Sequence, residues 1–383
     1  MIWKVRIPNA LLAAVMSQVA ARSSAGECVW TTNGPPSAVS ALALDPVDVS
    51  LYAATTGVSP VAYRSNDHGS TWTPLAEGPA GSWISAIAVD ATRTQNVYAA
   101  VSSVPGASPF GTLYRSVDGG QSWSLTAGLG ATVRAIASSR RAPGTLYAAA
   151  STCRCVRFPC FAGMDCRANV LKSLDFGETW TSLDASLSGW AIVTVAIDPM
   201  DSNRIFAGGD AGAFLSVDGG THWSAIETGF GTCVSVTSIA ADPRANGVLY
   251  VAAVSADRST CGAVFRSEDG GRTWTPTALQ EQNVVSLAID SSDPERVFAG
   301  IGISGTSASV FRTSDRGHTW TQIGSVLADV GPLAPVALIV EPAGNVLHVS
   351  TATGVFDYEI VPGARSPVIP RRTRQTRVVP SRP

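Results

Sequence analysis

The chain repeats one eight-residue phrase six times. It reads Ser65-Asn66-Asp67-His68-Gly69-Ser70-Thr71-Trp72 and returns at 116–123, 173–180, 216–223, 267–274 and 313–320. A phrase recurring about every 50 residues marks a repeat architecture, in which one supersecondary unit packs against copies of itself. The residue types explain the recurrence. Ser and Asp at the head of a tight turn bond back to the turn's own amides, Gly takes a positive φ, and the Trp opening the next strand is an apolar plate for packing. The six carboxylates, Asp67, Asp118, Asp175, Asp218, Asp269 and Asp315, are therefore read as structural acceptors within their turns, in preference to calcium ligands or catalytic acids.

A second stretch precedes each box. Ala41-Leu42-Ala43-Leu44-Asp45-Pro46 leads to Leu51-Tyr52-Ala53, and counterparts end at Asp90, Ser138, Asp198, Asp242, Asp290 and Glu341. There are seven such stretches against six boxes. Each unit reads as an inner strand A, strands B and C, the box as the C–D turn, and a strand D that starts at the Trp. Small residues on strand A fit the crowded centre of a radial array of sheets. The seventh unit stops after strand C, and its missing strand stands at the other end of the chain, where Val29-Trp30-Thr31-Thr32 matches Thr71-Trp72-Thr73. The expected fold is all-β: a seven-bladed β-propeller of four-stranded blades, closed by residues 29–33 completing the last blade, with no open edge left.

The unit, with its Asp-Pro, its aromatic-Ala pair and its Arg-Ser-x-Asp-Gly-Gly-x-Thr-Trp, resembles the Asp-box (BNR repeat) propellers. Its wording is most similar to the sortilin-type and xyloglucanase-type members, over residues 28 to about 360. The resemblance implies the propeller fold and leaves activity open, because this architecture hosts unrelated functions. The Gly-rich opening that leads to the catalytic Asp of xyloglucanase-like propellers is absent before Asp45, and Asp45 belongs to a feature repeated in other blades. Val5-Arg6-Ile7-Pro8 matches an element of sialidases, but it falls in a basic N-terminal segment with no acidic proton donor after it until Glu27.

That segment carries Lys4, Arg6 and a short apolar run from Ala10 to Val15, with small residues at Ser23 and Ala25. It reads as a signal peptide over 1–25, too short for a bilayer-spanning anchor. The propeller is expected over 26–360 and a disordered, Arg- and Pro-rich tail over 361–383. All 29 acidic residues lie between Glu27 and Glu359 against eighteen of the 27 basic ones, so the body is −11 and the tail +6. The tail is a candidate contact for an acidic polymer or surface. A secreted or periplasmic location follows from the signal and is consistent with the cysteines. Cys153, Cys155, Cys160 and Cys166 have a C-x-C-x4-C-x5-C spacing without paired C-x2-C knuckles, so two internal disulfides are expected in preference to zinc. Cys233 is expected to pair with Cys261, and Cys28 reads as unpaired or intermolecular.

Topology puts the boxes and the A–B turns on one face, called the bottom, and the B–C loops and D-to-A crossovers on the other, the top. The top is where an enzyme on this scaffold would act. A glycosidase needs two carboxylates about 5–9 Å apart, whereas the top-face acids Glu77, Asp184, Glu227, Glu281 and Asp329 are scattered one per crossover. Arg64, Arg115, Arg266 and Arg312 repeat beside the boxes and form no convergent triad. The chain has four histidines, three of them in boxes, which argues against histidine catalysis. The top offers aromatics instead: Trp83 and Trp190 before inner strands, and Phe158, Phe161 and Phe230 in loops, with Arg134 at the channel mouth. The leading expectation is a non-catalytic propeller binding an extracytoplasmic protein or glycan through these residues, with no cofactor, metal or nucleic acid. The alternative is a glycoside hydrolase.

Overall fold

The computed structural model describes residues 30–360, except 33, 36, 57–60, 76–82, 103–110, 129–130, 156–163, 184–186, 188–190, 227–228, 232, 234, 256–260, 304–306 and 329–336. The described residues form seven four-stranded antiparallel sheets, six of them running in sequence order from inner strand A to outer strand D. Blade 1 comprises Val39–Leu44, Leu51–Thr55, Ala62–Ser65 and Thr73–Pro74. Blade 7 is the exception in order. Its strands Ala337–Val340, Val346–Thr351 and Gly354–Glu359 are completed by Thr31–Thr32, in register Thr31 to Asp357 and Thr32 to Phe356. The closure expected from the sequence is therefore the one observed.

Strands B have no solvent-exposed face. Leu51–Thr55 and Leu249–Val254 are buried at every residue, because a neighbouring blade covers each side. Their small side chains let the blades approach, and the apolar contacts fall into seven clusters, one per seam between blades. The hydroxyl–Asp–Gly frame of the box recurs at each repeat, and the indole bond to the Gly carbonyl is made by Trp72, Trp180 and Trp274. In the first, Gly69 N–H donates to Ser65 Oγ (2.9 Å), Ser65 Oγ donates to Asp67 Oδ1 (2.7 Å), and Asp67 accepts the Thr71 amide (2.8 Å) and hydroxyl (2.6 Å). Trp72 Nε1 then donates to Gly69 O at 3.0 Å, which fixes the indole against the turn.

Boxes also join blades. Tyr98 Oη of blade 2 donates to Phe176 O in the box of blade 3 (3.0 Å), and Tyr147 Oη of blade 3 donates to Gly219 O in the box of blade 4 (2.9 Å). Tyr52 makes the same link from blade 1 to Gly119 O at 3.4 Å. At the seam between blades 7 and 1 the equivalent position is His348. Its Nδ1 lies 2.6 Å from Asp357 Oδ1 and its Nε2 3.1 Å from Glu341 Oε1, and Glu341 Oε1 is 2.8 Å from Nδ1 of His68 in the box of blade 1. A chain of titratable groups replaces the tyrosine staple, at the seam whose apolar cluster is the smallest among the described residues.

His348 and Glu341 are fully buried. Burial alone would lower the imidazole, but hydrogen bonds and charge from Asp357 and Glu341 outweigh it and raise the His348 pKa. Burial likewise opposes ionisation of Glu341, and the bonds from His348 and His68 overcome it and hold its carboxyl below the usual value. A raised histidine contributes stability that is complete below its unfolded pKa and lost as pH climbs through the folded one. A lowered carboxylate contributes above its unfolded pKa and loses that contribution as pH falls through the folded one. The melting temperature is expected to fall on both sides of a mildly acidic to neutral plateau. His348→Ala should cost roughly 3 kcal/mol or more in denaturant unfolding, from stranding the buried Glu341 and the half-buried Asp357, and His348→Gln should flatten the alkaline limb.

Candidate functional site

Among the described residues, six inner strands carry a β-bulge at one position near the top of the channel. The residues skipped by the register are Ser40, Ser85, Arg134, Val193, Thr237 and Val285. A bulge turns an extra side chain away from the ladder. Ser40 Oγ uses this to donate to Ala54 O of its own blade (3.1 Å) and Ile84 O of the next (2.6 Å), and Thr237 Oγ1 repeats the pattern with Ala252 O (3.2 Å) and Val284 O (2.8 Å). Arg134 takes the same position in blade 3 and is exposed. The carbonyl before it, Val133 O, accepts the Ser85 hydroxyl of blade 2 at 2.6 Å. Trp83 lies two residues ahead of that serine, half-buried, at the start of strand Trp83–Val89 and bridged through its backbone to Thr56 of blade 1. Trp83 and Arg134 thus stand on adjacent inner strands at the top of the ring.

Phe230 is elsewhere. It is buried, with its ring 5.1 Å from that of Phe265 and 5.5 Å from that of Trp274, inside the cluster shared by blades 4 and 5. The Cys233–Cys261 disulfide is present with a Cα–Cα distance of 5.5 Å, and Cys233 N–H donates to Phe230 O at 3.0 Å. The bridge clamps the crossover into blade 5 and so seats Phe230 in the core, where it packs and presents no ring to solvent. Phe158, Phe161, Trp190, Cys28 and Cys160 lie outside the described residues, as do Glu77, Asp184, Glu227, Asp329, the N-terminal segment and the tail. Cys153 and Cys166 face each other across the ladder of strands Leu146–Cys155 and Met164–Ser173, and Cys155 faces Met164. Glu281 is exposed, at φ 58° in the turn between blades 5 and 6.

The periodic acids are occupied by the scaffold. At the A–B turns, Asp45 Oδ1 accepts the Val47 amide (2.8 Å), Asp90 Oδ1 that of Thr92 (2.7 Å) and Asp290 Oδ1 that of Ser292 (2.7 Å). In the boxes, the Thr71 hydroxyl and amide hold the Asp67 carboxyl down at about 2, and the hydrogen bonds in the next box overcome partial burial to hold Asp118 at about 2. No group of three or more potential metal ligands occurs among the described residues.

A cavity of about 710 Å³ opens at the bottom of the channel, lined by the last residues of inner strands and by the A–B turns of six blades. Its walls mix aliphatic side chains, including Leu44, Ile197, Ile289 and Val340, with the polar Ser138, Ser139 and Ser291, and its rim carries Pro46, Pro199, Pro243 and Pro342. Arg140 stands where those prolines stand in other blades, with Arg141 beside it. Sequence reasoning missed this pair. The signal was available, since Ser139-Arg140 is the one A–B turn in which a cation directly follows the capping Asp, Glu or Ser.

The fold defines the class: a closed seven-bladed propeller with four-stranded blades. No protein-family model and no curated protein matches the sequence. Solved structures do match the fold. The GH74 enzyme of Niastella koreensis aligns with a TM-score of 0.66 at 18% identity over 86% of this chain and 53% of that one. The GH74 xyloglucanase of Xanthomonas campestris aligns at 0.64 and 18%, with the same coverage. YCF48 bound to D1 peptide aligns at 0.59 and 15%, over 88% of this chain and 98% of that one. The chain spans about half the length of these GH74 enzymes and nearly the whole of YCF48. The likeness places it among propellers of which some are enzymes and some bind a peptide, and at these identities it establishes the fold alone. No helix among the described residues is long and apolar enough to cross a membrane.

Because each box carboxylate is already saturated by its own turn, added calcium or a chelator is expected to leave the melting temperature unchanged. Thermal unfolding in each condition checks this, and a calcium-dependent rise would show that the boxes ligate metal.

Proposed function

We propose that this chain is an exported, non-catalytic propeller that binds a protein or glycan through its top face. The observation that carries the reading is the contrast between the two kinds of polar residue. The periodic acids are spent as turn acceptors or in the blade 7 network, while Arg134 replaces a seam-bonding hydroxyl and is exposed one strand from Trp83. A cation beside a half-buried indole suits a sugar ring or a peptide. Phe158, Phe161 and Trp190 belong to loops that would extend this surface, and the sortilin-type wording of the repeats and the likeness to peptide-bound YCF48 favour it. The disulfide supports an oxidising compartment. The likeness to GH74 enzymes favours a second reading, a glycoside hydrolase.

Glycan-array binding, crosslinking to secreted proteins and hydrolysis assays with xyloglucan and a sialoside separate the two. The expected result is capture without turnover, weakened at least tenfold by Trp83→Ala or Arg134→Ala with unchanged melting temperature. Turnover abolished by Glu281→Gln would establish the hydrolase. In the same reading the blade 3 cysteines staple the loop beside this face, and the ladder register favours a Cys153–Cys166 bridge. Non-reducing peptide mapping is expected to recover that pair, together with Cys155–Cys160.

A further inference from the structure

The bottom cavity is a second place where this molecule can bind something, on the face opposite the proposed one. At about 710 Å³ it falls within the size range of small-molecule pockets. Such pockets combine apolar wall with placed polar groups, and here aliphatic side chains share the lining with Ser138, Ser139, Ser291 and the two arginines. Leu44, Ile197, Leu287, Ile289, Leu338 and Val340 come from the inner strands of four blades, and the proline rim adds no donors.

Charge is confined to one side of the mouth. Arg141 Nε donates to Pro199 O at 2.9 Å, and its Nη2 lies 3.4 Å from Met200 Sδ, so both of these partners are neutral. Those contacts hold the guanidinium across the gap between blades 3 and 4 and leave its charge uncompensated. Neither Arg140 nor Arg141 forms an ion pair with a described residue, and both side chains are exposed. The acid in the lining, Asp198, is buried and engaged by Arg204 at 3.2 Å and by the Met200 amide at 2.8 Å. An apolar funnel with two uncompensated cations on its lip is complementary to one kind of ligand: a molecule with an apolar body and a single anionic head.

We propose that the bottom of the channel binds an amphipathic anion, with its carboxylate or sulfonate against Arg140 and Arg141 and its apolar body in the funnel. Blade 3 supplies the head-group contacts, with Arg141 held by Pro199 and Met200 of blade 4, and the inner strands of blades 1, 6 and 7 supply the opposite wall. The site is independent of the top-face reading, since no lining residue belongs to the bulge ring.

The test is calorimetric titration of the full chain with dodecanoate, dodecylammonium and dodecanol, each below its micelle concentration. The expected result is one dodecanoate per chain, with the other two probes at least tenfold weaker. Arg140→Glu combined with Arg141→Glu is expected to weaken dodecanoate at least tenfold. Ser291→Trp, which places a large ring at the mouth, is expected to block it, and Trp83→Ala is expected to leave it unchanged. Both mouth variants alter turn residues, and melting temperatures confirm that they fold. The proposal is overturned if dodecanoate does not bind, if the three probes bind alike, if both mouth variants bind normally, or if Trp83→Ala abolishes binding.

Discussion

Everything in this molecule depends on covering both faces of each sheet. The central strands are apolar on both sides, so a blade without neighbours would present two greasy surfaces to water, and an open array would do so at its ends. Closing the ring removes those ends. The closing contact is short: two residues, Thr31–Thr32, pair with strand C of blade 7, and Trp30 packs 5.2 Å from Tyr358 and beside Gly324 of blade 6. Backbone pairing supplies direction, and the indole supplies the buried area that two residues of strand cannot.

Because the seam between blades 7 and 1 has little apolar contact, polar chemistry carries more of it. At three other seams a tyrosine hydroxyl, that of Tyr52, Tyr98 or Tyr147, reaches a carbonyl in the next box, a neutral link insensitive to pH. At the closure, His348 lies between two carboxylates, one of which also holds a histidine of blade 1. The opposite charges compensate one another's desolvation only while histidine is protonated and the acids are not, so the ring is joined by a contact with a pH window. A geometric requirement, joining the first blade to the last, has become a thermodynamic dependence.

The same scaffold leaves two axial surfaces with different chemistry. At the top, the bulged inner strands use hydroxyls to bond the next blade wherever the sequence offers Ser or Thr, and where it offers Arg134 the position turns outward. At the bottom, prolines after the A-strand caps make a rim without donors, and Arg140 with Arg141 interrupts it. In both places a functional candidate is a departure from the repeat. The scaffold needs the repeated residues for its own turns, which leaves the exceptions available to a ligand.

The blade count, the box turns, the closing strand and the Cys233–Cys261 bridge were all legible in the chain. Each rests on local chemistry or on a repeat: Asp with Gly defines a turn wherever it stands, and a missing strand D at one end matches a spare strand at the other. The position of Arg134 on an inner strand, near the channel mouth, was also legible. Phe230 was not, because whether a loop aromatic faces water or core depends on what lies across the seam, here Phe265 and Trp274. His348 looked like an isolated strand histidine, and only the ring brings Glu341, Asp357 and His68 around it from separate parts of the chain. The bottom cavity likewise does not exist in any one blade. It is the space left where inner strands converge, so the sequence determined the repeating unit and its turns, while closure alone decided which residues share a seam or a channel.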